Sequence, residues 1–112
     1  MTRHIELDTA EAPSVRNNPA SSRFELYIGG ELAGTAEYQE TAAERAFVHT
    51  EIDARWAGQG HDRLLVRTAL DDTRDDGAQI LPMCAVVRHF IESHPEYGAL
   101  VPHWARESFG LQ

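Results

Sequence analysis

The sequence contains no lysine: all ten of its basic residues are arginine. That excludes Schiff-base chemistry and a P-loop lysine, and it leaves no lysine side chain to modify. Cysteine is nearly absent too. The single thiol, Cys84, cannot form an internal disulfide and suits a reducing compartment, where it is either an inert core group or a functional one. No apolar run approaches the ~20 residues of a bilayer-spanning helix. The start, Met1-Thr2-Arg3-His4-Ile5-Glu6, has no apolar signal-peptide core, so the expected location is the cytoplasm, away from membranes. Positive charge is scarce: ten basic residues face eighteen acidic ones, for a net charge of -8. Nucleic acid would meet net repulsion, with no arginine cluster to offset it. Metal-ligand spacing is missing as well. No His-Glu-x-x-His occurs, and His89, His94 and His103 follow no ligand pattern, so no metal is expected.

What remains has an ordinary globular composition. A chain of 112 residues, 42% hydrophobic and 25% charged, is large enough for one domain with its own core and too small for two. Residues 8–22 show no apolar period and read as an irregular arm with strand character at most near its ends. We expect an arm over residues 1–14 and a single domain over 15–112, with regular alternation starting near Arg23.

From there Phe24, Leu26 and Ile28 alternate with Arg23, Glu25 and Tyr27; beyond Gly29-Gly30, Leu32, Gly34, Ala36 and Tyr38 alternate with Glu31, Ala33, Thr35 and Glu37. The pair predicts a β-hairpin with a two-residue loop. Residues 46–52 predict a third strand, with Phe47, His49 and Glu51 on one face. After a loop over residues 53–60, Leu65, Val66, Ala69 and Leu70 make the stripe of an amphipathic helix, Arg63, Arg67, Asp71 and Arg74 its wet face, and Gly77 its C-terminal cap. Residues 78–84 predict a buried strand in which Pro82 implies a bulge or an edge. A second helix follows Cys84, striped by Val86, Val87, Phe90 and Ile91 and stopped by His94-Pro95. Trp104 and Phe109, in the tail, need a place to pack.

The order of strand, Gly58-Gln59-Gly60 loop and helix suits an anion, because glycine lets the backbone turn tightly while free amides of the first helical turn point at the guest. It is not a Walker loop, since no Gly-Lys-Ser or Gly-Lys-Thr follows, nor a dinucleotide fingerprint, since the third glycine is missing. The stretch Arg55-Trp56-Ala57-Gly58-Gln59-Gly60 does fit Gln/Arg-x-x-Gly-x-Gly/Ala. It resembles the acyl-CoA pyrophosphate loop of the GNAT superfamily of N-acetyltransferases. His49-Thr50-Glu51, Leu81-Pro82-Met83-Cys84 and His94-Pro95-Glu96-Tyr97 extend the resemblance to small GNAT-like domains of the YjdJ type and their eukaryotic N-acetyltransferase-domain relatives. The likeness runs from about Val15 to Val101.

This resemblance implies an α+β fold: a mixed, mostly antiparallel twisted sheet that starts with a hairpin, carries packed helices, and splays to admit a pantetheine arm between the strand ending at Ile52 and the strand ending at Cys84. It implies backbone contacts to the pantetheine and acyl carbonyl around Ile52, and amides of Gly58, Gln59, Gly60, His61 and Asp62 on the pyrophosphate. The implied reaction moves an acetyl group from acetyl-CoA, a CoA thioester, to a small amine or an exposed protein amine through a tetrahedral intermediate. The implied enzyme is a monomer or homodimer. Two departures from the family's pattern stand out. His61-Asp62 replaces a small residue followed by Gly or Ala, and the aspartate competes with a diphosphate for the same amides. Phe90 or Ile91 stands where larger members carry a tyrosine that protonates CoA; Tyr97 is a substitute of unknown distance.

Candidate chemical residues follow. Cys84 precedes a helix N-terminus, where the dipole lowers a thiol pKa. The resemblance makes it a proton donor to CoA or a transient acyl carrier; the alternative is a small buried hydrophobe. His49 and Glu51, two apart on a strand, serve as base or water relay, or simply face solvent. Arg55 contacts phosphate or packs across the turn, and Arg63 contacts phosphate or makes a surface pair. The rival to an enzyme is a non-catalytic acyl-CoA-binding or protein-interaction module with a degenerate site.

Overall fold

The computed structural model describes residues 12–111. Five strands lie side by side in chain order: β1 (Ser14–Asn18), β2 (Arg23–Ile28), β3 (Glu31–Glu40), β4 (Glu44–Ile52) and β5 (Gln79–Pro82). Neighbours are antiparallel except β4 and β5, which are parallel and so need a crossover. That crossover is α1 (His61–Asp75); α2 (Ala85–Ser93) and α3 (His103–Arg106) follow β5, with short 3-10 turns at Ala54–Trp56 and Pro95–Leu100. The expected α+β architecture is therefore present. No helix among the described residues is long and apolar enough to cross a membrane.

The first correction concerns the arm. Residues 14–18 form a full edge strand, paired from Ser14 opposite Tyr27 to Asn18 opposite Arg23, and Pro19–Ser21 form a 3-10 turn. Polar groups hold this strand, which is why it shows no apolar alternation. Tyr38 Oη donates to Asn17 Oδ1 at 2.7 Å, Asn18 Nδ2 donates to Glu25 at 3.0 Å, and the Arg16 guanidinium lies 4.4 Å from the Tyr27 ring. The part of the expected arm before residue 12 lies outside the described residues.

The Gly29-Gly30 hairpin forms as expected, with φ of 58° and 81°; both central residues at positive φ give a turn whose twist matches that of the strands. Two β-bulges then break the simple alternation. In β3, Tyr27 faces Leu32 but Leu26 faces Gly34, leaving Ala33 as the extra residue. Ala33 is consequently buried and Leu32 is 41% exposed. In β4, Tyr38 faces Phe47 but Glu37 faces His49, so Val48 is extra. A one-residue slip sends every later side chain to the other face. Phe47 stays in the core against Phe24 and Tyr38, whereas His49 and Glu51 join Glu37 and Thr35 on the opposite face. The expectation that Phe47, His49 and Glu51 share a face is thus overturned.

α1 touches all five strands through its expected stripe, and Leu65, Val66, Ala69 and Leu70 are buried with Phe24, Leu26, Phe47 and Ile80. It ends as predicted at Gly77, where Gly77 N–H donates to Arg74 O and Ala78 N–H to Thr73 O, a Schellman closure. From α2, Val87, Phe90 and Ile91 enter the core while Val86 is only half-buried. In the tail Phe109 packs at the core margin and Trp104 is 70% exposed.

Two charged residues are buried away from the cleft. Arg45, its side chain 4% exposed, reaches Glu40 at 2.7 Å, Asp76 at 3.0 Å, Thr73 at 3.1 Å and Asp72 at 3.5 Å. Its guanidinium lies over the Tyr38 and Phe24 rings. Glu25 sits on the other sheet face. Its carboxylate accepts from Asn18 Nδ2, Tyr27 Oη and Arg23 Nε, and these bonds, the first two strongest, outweigh burial and hold its pKa at about 2. A depressed carboxyl pKa contributes stability above the unfolded value and loses it as pH falls through the folded one. Stability is therefore expected to drop by about 2 kcal/mol, after discounting for solvent at the sheet surface, as pH falls from about 4.5 to about 2. Acid titration of the melting temperature checks this, and Glu25→Gln should remove that part of the slope.

Candidate functional site

β5 stays with β4 only from Glu44 opposite Gln79 to Phe47 opposite Pro82. Pro82 has no N–H to continue the ladder, and the last bond across is Cys84 N–H to Phe47 O at 2.9 Å. Beyond it β4 runs on to Ile52 while the chain after β5 turns into α2, so the two strands part where the sequence resemblance placed the opening. A cleft of about 300 Å³ occupies this gap, lined by Thr50, Ile52, Trp56, Gly58, His61, Asp62 and Val86 among others. A larger groove of about 640 Å³ lies between α1 and α2 over Val66 and Phe90, and shares Asp62 and Val86 with the first. Gly34 lets β3 approach the end of β4 closely: a Cβ there would stand 2.6 Å from Ile52 Cδ1 and 2.9 Å from Glu51 O.

The junction of cleft and groove is the glycine loop. Asp53 Oδ1 accepts the Arg55 N–H at 2.9 Å and closes the 3-10 turn, after which Gly58 and Gly60 take φ of 78° and 85°. Gly60 caps α1 without a side chain. Among the described residues nothing accepts from the amides of Gly58, Gln59, Gly60, His61 or Asp62, and the positive end of the helix dipole adds to their pull on an anion. Arg63 folds back over Gly60, where a Cβ would meet its Nη2 at 2.9 Å. Arg55 turns away: it pairs with Glu31 at the hairpin and stacks 4.1 Å from the Trp56 ring. Of its two expected roles, packing across the turn is the one present. Asp62 is exposed beside the free amides.

Cys84 sits at the N-cap of α2, half-buried, with Sγ 3.5 Å from Thr50 Oγ1. Burial pushes its pKa up, but the Thr50 hydroxyl and the backbone N–H groups at the start of α2 favour the thiolate by more, and the net shift is downward. Thr50 is the residue that the sequence reading passed over. It lies inside His49-Thr50-Glu51, but strict alternation assigns it to the wet face, and only the bulge at Val48 turns it toward the cleft.

The other candidates are not gathered around the thiol. His49 Nε2 lies 3.3 Å from Glu51 Oε1, the two side chains 55% and 72% exposed, on the sheet face away from α1. Glu51 borders a shallow depression there with Arg23, Glu37 and Asp53. Tyr97 stands apart. It is buried against Phe90, its hydroxyl donates to Asp71 Oδ1 at 2.7 Å and accepts from Arg67 Nη1 at 3.2 Å. Burial first, then Asp71, raises its pKa. Arg67 and Asp71, expected as a wet face, thus clamp the turn after α2 onto α1.

A family model described as GCN5-related N-acetyl-transferase matches residues 23–100. The chain belongs to this family. No curated protein matches it. The matched span runs from the first residue of β2 to the last of the 3-10 turn after α2, taking in the strand opening, the glycine loop and Cys84. β1 and α3 fall outside it. Membership supports acyl transfer in general.

Proposed function

We propose that this chain transfers an acetyl group from acetyl-CoA directly to an amine, as a minimal GNAT domain of the YjdJ type. The observation that carries the reading is the continuity of the trough: the cleft between β4 and β5 meets the groove between α1 and α2 at Asp62 and Val86, and the unbonded amides of residues 58–62 lead along the cleft to Asp62. A long ligand with a diphosphate near its middle and a thioester at one end fits such a shape. Acetyl-CoA supplies the activated acyl group. The protein must deprotonate the amine, stabilise the oxyanion of a tetrahedral intermediate and return a proton to the leaving thiolate.

The residues divide these tasks by sheet face. Cys84, held by Thr50 on the cleft side, is suited to donate the proton. Glu51 and His49, on the face away from α1, are suited to accept one from an amine arriving there. The bulge at Val48, just past the last bond to β5, leaves backbone donors for an oxyanion. Gly58, Gln59, Gly60, His61 and Asp62 offer amides to the diphosphate, with Arg63 beside them and Ile52 along the arm. Arg55 holds the loop, and Tyr97 has a structural role.

A second reading, a non-catalytic acyl-CoA-binding or protein-interaction module, is favoured by the Asp62 carboxylate beside the amides. Thermal melting tests whether acetyl-CoA binds, and acetyl transfer or thioester hydrolysis separates the enzyme from a module that only binds. Acetyl-CoA at a hundredfold over its dissociation constant adds about 2.7 kcal/mol and raises the melting temperature by several degrees. A rise with acetyl-CoA and CoA and little with ATP is expected. No rise at millimolar ligand would transfer the lead to the interaction module.

A further inference from the structure

The turn that presents Cys84 is anchored by the buried Pro82 ring but carries no strand pairing on its outer side. β5 is an edge strand that ends at Pro82, and Met83 is 52% exposed. Yet the three successive carbonyls of this turn are bonded to one residue. Arg88 Nη1 donates to Pro82 O at 3.2 Å and to Met83 O at 2.9 Å, while Arg88 N–H donates to Cys84 O at 3.0 Å. The N–H groups of the turn bond elsewhere, Met83 N–H to Leu81 O and Cys84 N–H to Phe47 O. A cation four residues into a helix opposes the helix dipole, and α2 has no acid in its first turn to compensate. Arg88 is placed against its own helix's field and folded back onto the strand end.

We propose that Arg88 is the positioning residue for the Cys84 thiol, fixing the 82–84 turn so that Sγ lies against Thr50 at the N-terminus of α2. This deepens the transferase reading and rests on it. With its peptide planes fixed, Cys84 leaves β5 extended, at φ −91° and ψ 136°. Its sulfur then lies 3.5 Å from the Thr50 hydroxyl, at the N-terminus of α2. The charged groups nearby are Arg88 and His89 on α2, and His61 and Asp62 on the first turn of α1 across the cleft; His49 and Glu51 of β4 face the other side, and β5 contributes none.

The test uses the only thiol in the chain. Iodoacetamide alkylation of Cys84 is followed against pH in the wild type and in Arg88→Ala, Arg88→Met and Arg88→Lys. In the alanine and methionine variants the profile is expected to move up by about half to one pH unit, slowing alkylation at pH 7 about three- to tenfold. Lysine, which still donates to carbonyls, should recover part of this. Methionine keeps the side chain's bulk, so a shift shared by alanine and methionine belongs to the lost donors and not to lost packing. In acyl transfer, kcat should fall while KM for acetyl-CoA stays unchanged. An unmoved alkylation profile in the folded methionine variant overturns the proposal. A wild-type chain that binds no acetyl-CoA overturns the transferase reading alone, because alkylation is read without it.

Discussion

Replacing Cys84 with alanine is expected to slow acyl transfer about 10²- to 10⁴-fold, the usual span for a positioned proton donor, while acetyl-CoA still raises the melting temperature by the wild-type amount. In free energy that is about 2.7–5.5 kcal/mol of the barrier. The two readouts separate because Cys84 contacts Thr50 within β4, whereas the free amides lie in the loop past Ile52 and at the start of α1. Stability should change little, by about 1 kcal/mol, since only a half-buried sulfur is lost. Cys84→Ser sharpens the comparison: a hydroxyl keeps the hydrogen bond to Thr50 but is a far weaker acid. Steady-state kinetics beside thermal melts check both variants. Unchanged turnover in the alanine variant would assign the thiol to packing and remove it from the reaction.

The largest stability effect is expected at Arg45, where substitution by alanine should cost about 3–5 kcal/mol and lower the melting temperature by on the order of 10–20 °C. This guanidinium is almost fully buried and is the only cation within reach of Glu40, Asp72 and Asp76 among the described residues. Its effective partners are Glu40 and Asp76, which hold its own pKa high despite burial. Asp72, at 3.5 Å, gains less, and burial together with the Asp76 charge pushes its pKa up. Without Arg45 the three carboxylates repel one another, and the Tyr38 and Phe24 rings lose the group that covers them. Arg45→Met keeps most of that cover and should lose less than alanine. Urea unfolding should show a lower midpoint with an unchanged slope. A loss below about 1 kcal/mol would mean that water at the half-exposed carboxylates replaces the arginine at little cost.

Arg45 and Thr50 illustrate what sequence pattern reveals and what it conceals. The hairpin at Gly29-Gly30, the α1 stripe from Leu65 to Leu70 and the cap at Gly77 were legible because each follows from a local rule: positive φ, a 3.6-residue period, a left-handed C-terminus. The glycine loop was legible as well, through Gly58-Gln59-Gly60, and the parting of β4 from β5 through the family resemblance, Pro82 by itself implying only a bulge or an edge. β1 was not, since its support comes from side chains up to 21 positions away, as between Asn17 and Tyr38. The faces of β3 and β4 were misread because a bulge adds one residue without any change in composition. Thr50 was hidden by that slip, and Tyr97 by a hydroxyl committed to Asp71 and Arg67 on another element.

The parting of β4 and β5 also gives the sheet an edge in its interior. From Val48 to Ile52 the β5 side of β4 has no strand partner among the described residues, and unpaired rungs of this kind are templates for aggregation when they lie on an outer rim. Here they sit inside a wedge closed at one end by Phe47 and Pro82 and flanked by Trp56 and Val86. The unpaired rungs of β4 therefore open onto a cleft of about 300 Å³ and not onto an outer rim of the sheet.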